Sequence, residues 1–182
     1  NLDPIFRERT TYLSAITARE FGDNVGLGLL EAAANSFDLR TRTRAEFDLA
    51  EAKLEQGPQE DDVTVDDLRA EAIERLERLR YAWRGDAFEL RVLRRLGELY
   101  LEQEDYREGL RMLRRATTYF PGTEGARRAR ALMEDTFREL YLEDKADELE
   151  PLVALSLFDE FSELVPIGPD GNRMIRKLAR NN

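Results

Sequence analysis

Neither cysteine nor histidine occurs among the 182 residues. Without cysteine there are no disulfides, no thiol nucleophile and no zinc–thiolate site. Without histidine there is no Ser-His-Asp or Cys-His catalysis, no haem ligation by imidazole and none of the usual zinc enzymes. The missing thiols are compatible with an oxidising compartment and with a reducing one. Lysine is scarce: only Lys53, Lys145 and Lys177 stand beside 25 arginines. We read that bias as GC-rich bacterial coding rather than as chemistry. No run of 18 apolar residues exists, so membrane insertion is not expected. Positive charge is also outweighed, with a formal net charge of −10, which argues against a nucleic-acid partner. Sustained alternation of β-branched residues is absent as well, so no sheet is expected.

What remains is helix. With 36% charged and 42% hydrophobic residues, the chain suits one domain or one block of repeats. Glycine and proline fall at intervals, including Gly22, Gly57, Pro58, Gly85, Pro121, Gly122, Pro151, Pro166 and Gly168. Between them lie Ala-, Leu-, Glu- and Arg-rich stretches with apolar residues three and four apart, such as Leu68, Ala72, Leu76, Leu79 and Trp83. The pattern predicts helices over 4–21, 24–39, 43–56, 66–83, 87–103, 106–120, 124–143, 148–165 and 170–180. Asp3 before Pro4, Asp105, Thr123 and Asp170 stand where N-caps are wanted.

The chain also repeats. Residues 44–56 and 91–103 share six of thirteen positions, with Ala50 opposite Gly97 in the alignment. Glu139 to Glu143 repeats the pentapeptide Glu98 to Glu102. The helices that follow align too, as Ala72-Ile73-Leu76-Leu79-Trp83, Gly109-Leu110-Leu113-Ala116-Phe120 and Ala154-Leu155-Phe158-Phe161-Val165. Register kept in both helices argues for a helical-hairpin repeat.

Leu93, Leu96-Gly97, Tyr100, Gly109, Leu113, Ala116 and Pro121 stand at the spacing of the tetratricopeptide (TPR) repeat, and residues 90–123 resemble one copy. Residues 43–85 resemble a second, with ten additional residues (57–66), Lys53 where the family has Tyr and Arg84 where it has the closing Pro. Residues 124–166 resemble a third, closed by Pro166 but with Arg138 at its small position. Residues 4–39 are similar to a fourth hairpin, with Asn35 interrupting the apolar stripe. The resemblance implies an all-α, right-handed solenoid: one array over 1–182 with hairpins at about 4–39, 43–85, 87–123 and 124–166, then an unpaired first helix of a next repeat at 170–180. Leu76, Leu96, Tyr100, Leu113, Ala116, Phe120, Phe158 and Phe161 are expected to be buried, and Gly97 is expected to meet Gly109 across its hairpin. Met174, Ile175 and Leu178 would form an exposed stripe available for self-association. That stripe, and a start at Asn1 without Met or an apolar leader, lead us to expect a piece of a longer chain.

The resemblance also implies where a partner binds. First helices of TPR hairpins line the concave surface, which here would carry Arg44, Phe47, Glu51, Leu54 and Glu55, then Arg91, Arg94, Glu98, Leu101 and Glu102. We single out Arg44, Arg91 and Arg94 as anchors for a carboxylate, with Phe47, Leu54 and Leu101 as apolar contacts. The alternative is that Glu51 and Glu98 neutralise those arginines. The acidic clusters at 60–62, 66–67, 143–144 and 147–148 lack the alternating ligands and turn glycine of a calcium loop, so they read as solvated turns. Arg107, Arg111 and Arg114 form an outer stripe, and Tyr81 with Trp83 reads as hairpin packing. The turn at 167–171 has no Lys-Ser/Thr after it and is not a phosphate loop. The expected function is therefore a non-catalytic scaffold for a protein or peptide, without cofactor or metal. The alternatives are a helical accessory region of a larger bacterial envelope protein or enzyme, and a hydrolase working with carboxylates alone. The cell envelope is the favoured location.

Overall fold

Asp3 starts the first helix, its carboxylate accepting from the Ile5 N–H at 3.0 Å. The computed structural model describes residues 3–20 and 25–180, and every regular element among them is helical. The predicted turn at Gly22 lies outside the described residues. The chain divides into two compact units, residues 1–105 and 106–182. The boundary falls inside the segment 87–123.

The first unit holds α1 (Pro4–Glu20), α2 (Val25–Ala34), α3 (Leu39–Gln56), α4 (Val65–Ala82) and α5 (Ala87–Glu102), each packed on the next one described. Ala15, Leu30, Ala33, Ala34, Ala45, Leu49 and Ala52 form the core of its first three helices. Alanine dominates because the helices cross closely. At Gly26 a Cβ would sit 3.3 Å from the Ala15 carbonyl oxygen and 2.9 Å from Arg19 Cγ. The expected helix 24–39 ends at Ala34 instead, and α3 starts four residues before its predicted position. The cause is local: Asp38 accepts from Thr41 N–H (3.2 Å) and Thr41 Oγ1–H (2.7 Å), making it the N-cap of α3. Thr64 and Asp67 exchange side-chain-to-backbone bonds at the start of α4, a capping box. Asp86 caps α5 through Phe88 and Glu89 N–H.

The second unit holds α6 (Tyr106–Tyr119), α7 (Glu124–Leu142), α8 (Pro151–Glu160) and α9 (Pro169–Leu178). Thr123 caps α7 through Ala126 N–H at 3.2 Å. The expected helix 148–165 is cut short at both ends: a 3-10 turn occupies Lys145–Glu148, α8 begins with Pro151 at its first turn, and a second 3-10 turn covers Ser162–Leu164. Starting at Pro151 turns the buried stripe to Ala154, Leu157 and Phe161 and leaves Leu155 exposed. Phe137 of α7 lies 5.5 Å from Phe158 of α8 and 4.7 Å from Tyr141, which meets Phe158 edge-on at 4.9 Å. Rings thus join α7 to α8 where Arg138 stands in place of a small residue.

The last helix is not left standing alone. It packs on α7, and Met174 is fully buried. At Gly171 a Cβ would lie 2.0 Å from the Pro166 carbonyl oxygen, so only glycine lets the turn close there. Of the expected stripe, Ile175 is exposed and Leu178 half-buried. Asp170 caps nothing by its side chain; it faces Arg138 at 3.5 Å. Among the expected core residues, Leu76, Leu96, Leu113, Ala116 and Phe161 are buried. Tyr100, Phe120 and Phe158 are only half-buried. Tyr100 keeps its edge towards solvent because its hydroxyl donates to Glu77. Phe120 sits one residue past the end of α6. Gly97 and Gly109 are both buried, one in each unit.

Candidate functional site

Three helices of the first unit present their charged faces to one cavity of about 630 Å³. Arg19 comes from α1, Phe47, Asp48, Glu51 and Glu55 from α3, and Arg91, Arg94, Arg95 and Glu98 from α5. They converge because α1, α3 and α5 run in the same direction. Near their starts Arg9 reaches Asp38, and near the ends of α1 and α3 Arg19 pairs with Glu55. Arg95 Nε meets Glu51 at 2.8 Å between α3 and α5.

Phe47, Arg91 and Arg94 are brought together here, as the sequence suggested. Arg91 lies over the Phe47 ring, 4.6 Å from its centroid. Phe47 itself is buried, edge-on to Phe88 at 5.7 Å. Arg44 is exposed and does not line the cavity. Leu54 and Leu101 are half-buried and do not line it either.

The charges differ in how firmly they are held. Arg94 faces Glu98 at 3.4 Å. Arg95 was not among the expected anchors and is the most engaged, reaching Glu51, Glu98 and Glu102. Burial is the largest single influence and works against its charge, but the bond it donates to Glu51 and the charges of Glu51, Glu102 and Glu98 together outweigh it and hold its pKa above the ordinary arginine value. Arg91 is loose, 3.8 Å from Asp48 with 58% of its side chain exposed. Arg44 makes no ion pair among the described residues, although it acts electrostatically on Tyr12 and Asp86. Tyr12 donates to Asp48 at 2.7 Å, and burial together with that bond pushes its pKa above the usual phenol range. Four basic and four acidic side chains line the cavity, so its interior is balanced within the fold. Of the neutralising partners foreseen for the anchors, Glu98 faces Arg94, whereas Glu51 pairs with Arg95 and leaves Arg91 and Arg44 to others. A clue to Arg95 lay in the sequence: it stands three residues before Glu98 and seven before Glu102 on one helix.

The outer stripe is engaged as well. Arg111 Nε reaches Glu160 at 2.6 Å, Arg107 and Arg114 approach the same carboxylate at 3.3 and 3.6 Å, and Arg114 also meets Glu163. Trp83 donates to Asp86 at 2.9 Å and lies edge-on to Phe88, as packing predicts. No group of three or more potential ligand side chains able to hold a metal ion occurs among the described residues, and no helix there is long and apolar enough to cross a membrane.

No protein-family model matches the chain, and no curated protein matches it in sequence. Solved structures do match in shape. A kinesin light chain-type protein of Podosopora anserina with nearly identical TPR-like repeats superposes with a TM-score of 0.54, and a glutamine-to-methionine variant of it with 0.55. Each is 15% identical, with all of this chain and 87% of the other covered. The fold is that of TPR-like repeats. At such identity the likeness speaks for fold alone.

Proposed function

We propose that this chain is a non-catalytic interaction module that takes a segment of a protein partner in the cavity between α1, α3 and α5. The observation that supports this most is the loosely held Arg91, stacked on Phe47 at the wall of a cavity whose other cations are paired. Stacking orients the guanidinium flat, and its free edge offers parallel N–H donors to a carboxylate. Arg44 would supply a second cation beyond the cavity, and Phe47 an apolar wall. The partner segment would run across the three helices, because all three contribute side chains to the surface.

Site-specific photo-crosslinking in the producing cell tests this reading. A benzophenone side chain placed at Glu55 should give partner adducts, and one placed at Arg78 or Arg128 should give none. Adducts from the latter pair alone would place binding on another face and end the proposal. Charge reversal at Arg91 and Arg94 should lower adduct yield from Glu55.

A further inference from the structure

The unspent positive charge of the first unit gathers beside the cavity, at the end where α3 and α5 begin. Arg40, Arg44 and Arg84 are exposed and form no ion pair among the described residues. Arg40 lies 5.7 Å from the centroid of the Trp83 ring, which links the start of α3 to the α4–α5 turn that carries Arg84. The carboxylates nearby are occupied. Glu8 accepts from Ser36 Oγ–H and Asp38 N–H, Asp38 from Thr41 and Arg9, and Asp86 from Trp83 and two backbone N–H groups. In the same place Phe37 is 92% exposed, Leu39 42% and Ile5 44%. Glu8 and Arg9 hold residues 36–38 against the first turns of α1, where Ile5 lies one turn before Glu8. A phenyl ring this bare, among apolar neighbours and unpaired arginines, fits an anchor for a partner's side chain.

We infer that this rim binds an acidic, amphipathic peptide segment, with Phe37 and Leu39 taking its apolar side chains and Arg40 and Arg44 its carboxylates. The inference rests on the chain's being an interaction module but uses residues outside the cavity. The charge pattern favours a short peptide over an anionic bilayer. Fields fade beyond roughly 8 Å at physiological salt, so a peptide on the rim feels the local arginines. An extended bilayer would also face the rest of a chain of net charge −10.

The test is selection from a random dodecapeptide library displayed on phage, against the parent chain and two variants. The rim variant carries Phe37→Ser and Arg40→Glu; the cavity variant carries Arg91→Glu and Arg94→Glu. Circular dichroism confirms that each is folded. The parent should enrich peptides with two or more acidic residues beside Leu, Ile or an aromatic residue. Recovery of those peptides should fall at least tenfold on the rim variant. No enrichment, enrichment of neutral or basic peptides, or unchanged recovery on the rim variant overturns the inference. Loss on the cavity variant alone would leave the proposed function standing and remove the rim. Loss on the rim variant alone would do the reverse. Co-sedimentation of the parent with vesicles of 30% phosphatidylglycerol, abolished in the rim variant, would replace the peptide by a lipid surface and overturn the choice of partner.

Discussion

Two arginine stripes can be compared, one on α5 of the first unit and one on α6 of the second. Both are written as arginines three and four apart on amphipathic helices. On α6, Arg107, Arg111 and Arg114 all converge on Glu160, and Arg114 also lies over the Phe161 ring at 4.4 Å. The stripe fastens α6 to α8. On α5, Arg95 and Arg94 are paired but Arg91 keeps most of its surface free. Arginines gathered on one helix face thus yield a structural clasp in one unit and an available cation in the other. What decides is the facing helix, which supplies a shared carboxylate in one case and an aspartate at the limit of reach in the other.

The comparison can be broken hardest through the rings that join α7 to α8. Phe137→Ala removes a fully buried side chain and should cost about 3–5 kcal/mol, read from the urea midpoint of the second unit's signal. If the loss is below about 1 kcal/mol, α8 is held by the clasp rather than by the rings. Next, Glu160→Ala should cost roughly 1–2 kcal/mol, since three arginines lose one acceptor but all are partly exposed and screened. The equivalent loss on Arg91→Ala should be under about 0.5 kcal/mol, and equal costs would erase the distinction between clasp and free cation.

Asp38→Ala should cost about 1 kcal/mol by uncapping α3, with faster amide exchange at Thr41 and Arg42 and little change in α7. Acid should act in the same direction. The Thr41 hydroxyl bond holds Asp38 below the ordinary carboxylate range, the Ser36 hydroxyl does so for Glu8, and the Thr64 hydroxyl for Asp67. A depressed folded pKa means stability that is present above the unfolded value, about 4, and lost as pH falls through the folded one. The melting temperature should therefore hold from pH 7 to 5 and drop below about pH 4. A flat profile to pH 2 would show that these bonds carry no stability. The smallest effect on stability is expected at the exposed Arg91: Arg91→Glu should change it by less than about 0.5 kcal/mol, while partner capture falls.

Much of the fold was legible because helix periodicity and turn residues are local. The α4, α5, α6 and α7 spans lie within one residue of expectation. The failures have local causes too. Asp38 outcompeted the helix predicted to run through it, and Pro151 restarted α8 and turned its stripe, so that Leu155 faces solvent. The site was legible only in outline. Spacing placed Phe47, Arg91 and Arg94 on one surface, but which arginine is satisfied depends on contacts 43 to 44 residues apart, Arg91 with Asp48 and Arg95 with Glu51. Leu54 and Leu101 stand seven residues after Phe47 and Arg94 on the same helix faces, but both are half-buried and contribute nothing to the cavity lining.

The Lys177 ammonium is bound to the Leu142 carbonyl oxygen at 2.6 Å and to the Asp144 carboxylate, tying α9 to the end of α7. In a chain with only three lysines, that contact makes the amine a reporter. An acylating reagent needs an unbonded, unprotonated nitrogen, so Lys177 reacts when α9 lifts away, whereas Lys145, paired with Glu139 at 3.0 Å but with 46% of its side chain exposed, needs no movement of α9. The ratio of the two labelled peptides in a mass spectrum becomes a clock for the opening of a single helix, without any engineered probe.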